Sequence, residues 1–366
     1  MNKILSICIA SYNKAETTFS LVNSLLTCPN LEFEVVVVDN ASTDDTVDRL
    51  NGINDNRLRV VRNNENIGGA RNFLASMFEA RGLFCFYTND RDIVYPNKID
   101  AFIEYLKAHS YVGGGHCVRN KINKVDALAI EHKKIDALST VNFRGEHPTG
   151  FFFKRSLLND VPEETLKDYG MVEPYLSFPW EGFLCEIICK GYTVVQYNDV
   201  IWQSTGDTTH SKYQSGYYIN GEKEERWFFP KNRLALTIAE TSETLRIARA
   251  NGIFPNVEER YRIYAHLLAP QYTFAVYRYK VIYETPTLAY HYKVAPRKIS
   301  KGEMNRCRKE MIDGYISYIR EIEGGYNEKE KYIIDGMRVI DDNYRITLRR
   351  FLSKTKKWVR SLFKNN

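Results

Sequence analysis

No apolar run in this chain approaches the ~20 residues that span a bilayer. The first run, Ile4 to Ala10, gives way at once to Ser11-Tyr12-Asn13-Lys14, too short and polar for a secretory signal. A cytoplasmic protein is therefore expected. Cysteine is sparse and scattered: seven residues, several inside apolar runs, none with metal-ligand spacing, which reads as small buried hydrophobes in a reducing compartment. Cys185 and Cys189 lie one helical turn apart without partner Cys or His pairs, so packing is expected there rather than zinc. No G-x-G-x-x-G follows the first run and no P-loop occurs, which disfavours a dinucleotide cofactor. A basic globular surface for nucleic acid is also missing. The net charge is +6, yet residues 343–366 carry eight Lys and Arg and no acid, leaving the other 342 residues at −2.

What is present is a series of continuous apolar runs that end in polar turns. Ile4 to Ala10, Glu34 to Val38 and Leu58 to Val61 are followed by Asp39-Asn40-Ala41-Ser42-Thr43-Asp44 and by Asn66-Ile67-Gly68-Gly69-Ala70-Arg71-Asn72 in the second and third cases. Leu83 to Tyr87 leads into the acidic cluster Asn89-Asp90-Arg91-Asp92. Unbroken apolar runs point to strands buried on both faces, as in parallel sheets. Between them, Leu21, Leu25 and Leu26, and then Phe73, Met77 and Phe78, recur at helical spacing. Strand and helix in alternation predict right-handed βαβ crossovers in one α/β sheet. Carboxylates at the C-terminal edge of such a sheet stand where ligands bind.

A chain of 366 residues with 44% apolar content suffices for more than one domain. From about residue 216 the pattern turns helical: Asn232 to Arg249 stops at Asn251-Gly252, Val257 to Tyr283 is rich in tyrosine around Pro270, and Ser300-x-x-Glu303 reads as a capping box. Most of these tyrosines are expected to pack helices. In the tail, Leu348, Phe351, Leu352, Trp358, Leu362 and Phe363 share one helical face and the cations occupy the other, the pattern of a helix lying on an anionic membrane surface.

Taken in order, these residues resemble the family 2 glycosyltransferases. The resemblance runs over roughly the first 200 residues: Ile9 to Asn13 as the opening strand and turn, Val38 to Asp44 as "VDdgStD", Asn66 to Asn72 as "NxGxxxARN", and His147-Pro148-Thr149-Gly150 to Arg155 as "tGxxfkR". It implies a GT-A fold over residues 1–215, a Rossmann-like mixed, mainly parallel sheet flanked by helices, to which the residue patterns add a helical domain over 216–342 and a membrane-associating helix at 343–366. It implies transfer from a UDP-sugar donor to a hydroxyl of a glycan acceptor, without processivity and with inversion, and the basic amphipathic tail suggests that this acceptor is lipid-linked. On this resemblance Ala10, Tyr12, Asp39, Asn66, Gly68, Arg71, Asp90 and Arg91 bind donor, with Asp39 at the uracil and Arg71 at the diphosphate, and His210, at the end of the polar loop from Ser204, is a further candidate for the diphosphate or metal.

Two positions depart from the family pattern. The Asp-x-Asp-Asp expected ahead of Pro96 reads Asn89-Asp90-Arg91-Asp92, so either Asp92 and Asp90 hold Mg or Mn in a shifted register or Arg91 supplies the charge. The "ED" loop reads Trp180-Glu181-Gly182, which makes Glu181 the expected general base, with Glu173 next in line. Trp180 would wall that carboxylate and, with Gly150, face the acceptor. The damaged motifs also admit a rival reading, a catalytically silent protein that binds sugar nucleotides.

Overall fold

The computed structural model describes residues 3–119, 127–141, 147–160, 179–205, 217–219, 222–224, 229–291 and 294–343. The chain divides into two compact units, Met1–Glu224 with Ser242–Phe254, and Glu225–Thr241 with Pro255–Asn366.

The first unit opens with β1 (Leu5–Ser11), α1 (Ala15–Leu26), β2 (Phe33–Asp39), α2 (Thr46–Asn51), β3 (Leu58–Arg62), α3 (Gly69–Phe78) and β4 (Phe84–Asn89). It continues through β5 (Ile93–Val94), α4 (Ile99–Ala108), β6 (Val112–Cys117), β7 (Ala129–His132), β8 (Phe151–Lys154), β9 (Thr193–Tyr197) and β10 (Trp202–Gln203). Eight of these strands form one sheet in the order β3-β2-β1-β4-β8-β6-β9-β7. β1 to β4 run parallel, β8 is antiparallel to both its neighbours, and β6 and β9 are parallel. All seven residues of β2 are buried, as its unbroken valine run requires of a central parallel strand. Phe84, Phe86, Phe102, Phe152 and Tyr197 fill the layer between the sheet and α4 with tilted and edge-on ring contacts. All seven cysteines are buried free thiols.

β6 carries Gly113-Gly114-Gly115, a composition that disfavours strands. Crowding explains it. A Cβ on Gly113 would lie 2.6 Å from Ile187 and one on Gly115 2.0 Å from the Val195 carbonyl oxygen. The helix Pro179–Cys189 and β9 therefore press directly on the backbone of this strand.

In the second unit the helix Val257–Thr273 starts on a full capping box between Asn256 and Glu259 and contains Pro270. A π-helical turn, Phe274–Arg278, follows, as befits a ladder disturbed by proline. The helix Lys301–Glu323 begins at Ser300 and ends on Gly324 at φ +78°. Only half of the expected capping box forms there. Ser300 Oγ accepts the Glu303 N–H at 3.1 Å, but the Glu303 carboxylate is drawn to Arg297 and to the Tyr279 hydroxyl (2.7 Å), whose charge and polarity outbid a backbone N–H. The tyrosines pack as expected and also spend their hydroxyls on carboxylates, as Tyr264 does on Glu323 and Tyr272 on Asp341.

Candidate functional site

The strand ends that carry the motifs lie level with one another. Ser11 pairs in register with Asp39, Asp39 with Arg62, and Ala10 with both Val38 and Asn89. Asp39 and Asn89 thus flank β1, two strand spacings or roughly 10 Å apart. Asp39 is wholly buried. Its Oδ2 accepts the Ser42 N–H at 2.9 Å and lies 3.6 Å from Arg62 Nε, whereas its Oδ1 is buried without a hydrogen-bond partner. One side chain serves both the turn and a vacant acceptor direction. An unmet buried acceptor costs ~1–3 kcal/mol, which a ligand N–H or O–H would recover.

The loop ahead of α3 is built on asparagine amides. Asn40 Oδ1 accepts from Ile67 N–H (2.9 Å) and Asn63 Nδ2 (3.1 Å), and Asn40 Nδ2 donates to Asn66 Oδ1 (2.8 Å). Asn72, 2% exposed, donates to Val38 O at 3.0 Å and accepts from Asn63 at 2.9 Å, pinning the start of α3 to the end of β2. Asn66 Oδ1 also accepts the Gly68 N–H at 2.9 Å, so this residue shapes the loop. Gly68, at φ +85°, turns the chain into α3, and Arg71 stands exposed in the first turn of that helix.

To Arg71 the chain adds two further cations, Lys14 and Arg91, both close to Asp90. None of the three makes a salt bridge within the described residues, and Lys14 and Arg91 both act on Asp90. Burial pushes the Asp90 carboxyl up to about 6 against the pull of Arg91, Lys14, the Tyr12 backbone N–H and the Ser11 hydroxyl. Tyr12 and Asp90 are thereby joined at the end of β1.

Asp92 is 3% exposed and locked on one side only. Its Oδ2 accepts from Thr149 Oγ1 (2.5 Å) and Asn89 Nδ2 (3.1 Å), and its Oδ1 is buried with no hydrogen-bond partner. His147 Nδ1 lies 3.5 Å from Oδ2, with its ring stacked on Trp202 at 5.1 Å. Burial first, and then Arg119, Arg91 and His116, drive the His147 pKa down to about 4 although Asp92 opposes them, so this imidazole is neutral near pH 7. No group of three potential metal-ligating side chains occurs among the described residues. The unmet Oδ1 of Asp92 nonetheless suits a hard cation that takes its other oxygens from a phosphate ligand and water.

Glu181 is 1% exposed in the first turn of the helix Pro179–Cys189. Trp180 beside it packs on Phe73 (5.2 Å) and Phe151 (6.3 Å), and Phe73 in turn packs on Tyr87 (4.4 Å). The Tyr87 hydroxyl donates to Asn89 Oδ1 at 3.2 Å and is pushed upward in pKa by burial and by Asp90 and Asp92. This aromatic chain links the Glu181 turn to the strand edge that carries the acidic cluster. Gly150 is buried at φ +108°, where a Cβ would meet Trp202 Nε1 at 2.5 Å and Cys117 O at 2.8 Å. Its glycine is required by conformation and space. His210, Glu173 and the tail beyond residue 343 lie outside the described residues.

Five contributors were not singled out by sequence. Lys14 follows the first strand as an ordinary turn cation would. Thr149 stood within a noticed motif without a role, and Asn40, Asn72 and His147 likewise, because each acts on a residue distant in sequence.

Residues 6–161 match the family described as Glycosyl transferase family 2. The chain is 32% identical over 107 residues to the UDP-Glc:alpha-D-GlcNAc-diphosphoundecaprenol beta-1,3-glucosyltransferase WfaP of Escherichia coli, covering 29% of this chain and 42% of that protein. It is 34% identical over 175 residues to the succinoglycan biosynthesis protein ExoO of Rhizobium meliloti (strain 1021), covering 42% of this chain and 48% of that protein. The chain thus spans less than half the length of these curated relatives. Among solved structures, S. aureus TarS 1-349 in complex with UDP-GlcNAc aligns with a TM-score of 0.50 at 17% identity over 89% of this chain and 93% of that one. At that identity the likeness is one of fold, and the fold is GT-A. Among the described residues no helix is long and apolar enough to cross a membrane.

Proposed function

The chain carries a glycosyl transferase family 2 domain over residues 6–161, and from that premise we propose that it transfers a sugar from a UDP-sugar to a hydroxyl of a lipid-linked glycan acceptor, with inversion. The observation that carries this reading is the pair of half-satisfied carboxylates: Asp39, at the end of β2, and Asp92, just past the end of β4, each hold one oxygen in the protein and leave a buried second oxygen unmet.

Asp39 Oδ1 accepts from the uracil or ribose, in the floor formed by Ala10, Tyr12, Asn66 and Gly68. Arg71, Lys14 and Arg91 face the diphosphate, where unpaired cations are worth most. Asp92, with Asp90 beside it, would hold Mg or Mn. Such an ion, when bound, supplies positive charge to the departing diphosphate. Glu181 takes the proton of the acceptor hydroxyl. As the new bond from that oxygen to the anomeric carbon forms, the bond from the anomeric carbon to the diphosphate breaks and UDP leaves with the electron pair. Trp180 excludes water beside Glu181 and, with Gly150, faces the acceptor.

The lipid-linked acceptor is supported by the acceptor named for the Escherichia coli relative and by the basic amphipathic pattern of residues 343–366, which also fits the inner face of an anionic membrane. Incubation of the purified chain with a panel of UDP-sugars, with and without EDTA, tests the reading. UDP release from at least one donor, lost in Glu181→Gln and increased by a diphosphate-lipid glycan, is expected. Tight UDP binding with no turnover of any donor would sink it in favour of a silent nucleotide-binding protein.

A further inference from the structure

We infer that Thr149 is a positioning residue, whose hydroxyl clamps one oxygen of Asp92 so that the other is presented to the ligand. This rests on the reading of Asp92 as the cation-holding carboxylate. Thr149 is 0% exposed, and its hydroxyl oxygen accepts the Asn89 backbone N–H at 2.9 Å. That N–H is a donor only, so the single hydroxyl proton is left for Asp92 Oδ2, at 2.5 Å. Asn89 adds a second donor to the same oxygen from Nδ2 (3.1 Å), its amide being oriented by the Tyr87 hydroxyl on its Oδ1. Both donors converge on Oδ2, and none reaches Oδ1.

The clamp is itself held from both sides. The Gly150 N–H donates to Tyr87 O at 3.1 Å, and the Cys117 N–H donates to Gly150 O at 2.8 Å, which ties residue 150 to β4 and β6. At φ +108°, with Trp202 and Cys117 in the space a Cβ would need, the backbone beside Thr149 has little freedom. Two segments 57 residues apart in sequence thus meet at one carboxylate oxygen. A half-turn of the Asp92 carboxylate would exchange the clamped and vacant oxygens chemically, but only by breaking both bonds on the way. The carboxylate is therefore preorganised before any ligand arrives.

The test is calorimetric titration of UDP into the full chain in MnCl2 and in EDTA, the ratio of the two affinities being the metal increment. A wild-type increment of at least about 10-fold is expected, abolished in Asp92→Asn. Thr149→Val keeps the shape without the hydroxyl and should cut the increment about 10-fold, as loss of one charge-assisted hydrogen bond implies. Its affinity in EDTA should stay within about 2-fold of wild type, and Thr149→Ser should restore the increment. Asn89→Ala, which removes the second donor and spares the first, should fall between them. A full increment in Thr149→Val would overturn the inference while loss of the increment in Asp92→Asn still upheld the reading of Asp92. Parallel losses in MnCl2 and EDTA, unrescued by serine, would also overturn it, as the mark of a merely structural role. No increment in the wild type, or a full one in Asp92→Asn, would overturn the reading of Asp92 and the inference together.

Discussion

The carboxylates of the two units differ in how completely they are used. In the helical unit Glu323 meets Arg260 through both oxygens and Tyr264 through one, Glu303 meets Arg297 and Tyr279, and Glu330 meets Arg320 twice. Asp341 gathers Arg308, Tyr272 and Tyr277. In the α/β unit Asp39 and Asp92 are more deeply buried than most of these, and each leaves one oxygen unmet. A carboxylate whose acceptor capacity is filled by its own chain stabilises helices against one another. One left half-filled at a sheet edge is a liability to folding that a ligand redeems.

Three substitutions probe that contrast, in descending order of effect. Glu181→Gln keeps the shape of the proposed base and removes its proton affinity. Donor-to-acceptor transfer should fall about 10²- to 10⁴-fold, the range of general-base catalysis, with UDP affinity within about 2-fold of wild type by calorimetry. In the helical unit Arg260→Ala strips Glu323 of its charged partner at a largely buried position. Urea unfolding should report a loss of about 2 kcal/mol, discounted from the cost of breaking a fully buried pair because Arg260 retains some exposure, and UDP affinity should not move. A change in UDP affinity instead would blur the line between the two classes.

The smallest effect is in pH dependence. Hydrogen bonds from Arg297 and then Tyr279 depress the Glu303 carboxyl from 4.5 to about 2. Because the folded-state value is the lower one, this stabilisation is complete above about pH 4.5 and is lost as pH falls towards 2. Glu303→Gln should flatten that part of the acid limb of the stability curve, by an amount that added salt reduces. An acid limb unchanged by the substitution would place the protonation elsewhere.

The sheet was legible because parallel strands buried on both faces are mostly apolar, and β1, β2 and β4 are so apart from Ser6 and Glu34, which bond each other, and the polar residues at the strand ends. The turn after β2 and the Gly68-Gly69 entry to α3 could be read for the same reason, since local backbone chemistry specifies them. β6 could not. Its three glycines are dictated by what presses on them, Ile187 on Gly113, Phe152 and Phe153 on Gly114 and Val195 on Gly115, and none of these is near in sequence. The same limit hid Thr149 and the asparagine amides, whose partners are assembled only by the fold. At Ser300 a correct local signature was outcompeted by Arg297, a charge that a four-residue motif does not weigh.

On the proposed reading, the unmet oxygen of Asp39 is an acceptor kept for a nucleotide. Calorimetric titration of UDP into wild type and Asp39→Asn, with the melting temperature of each, tests it most directly. Asparagine can keep its oxygen on the Ser42 N–H and would turn an amide donor to where the vacant oxygen stood. UDP affinity should fall by about 10- to 100-fold, with a melting temperature equal to or above that of wild type. Unchanged UDP affinity together with a lowered melting temperature would contradict it, and would place Asp39 among the carboxylates that only hold the fold together.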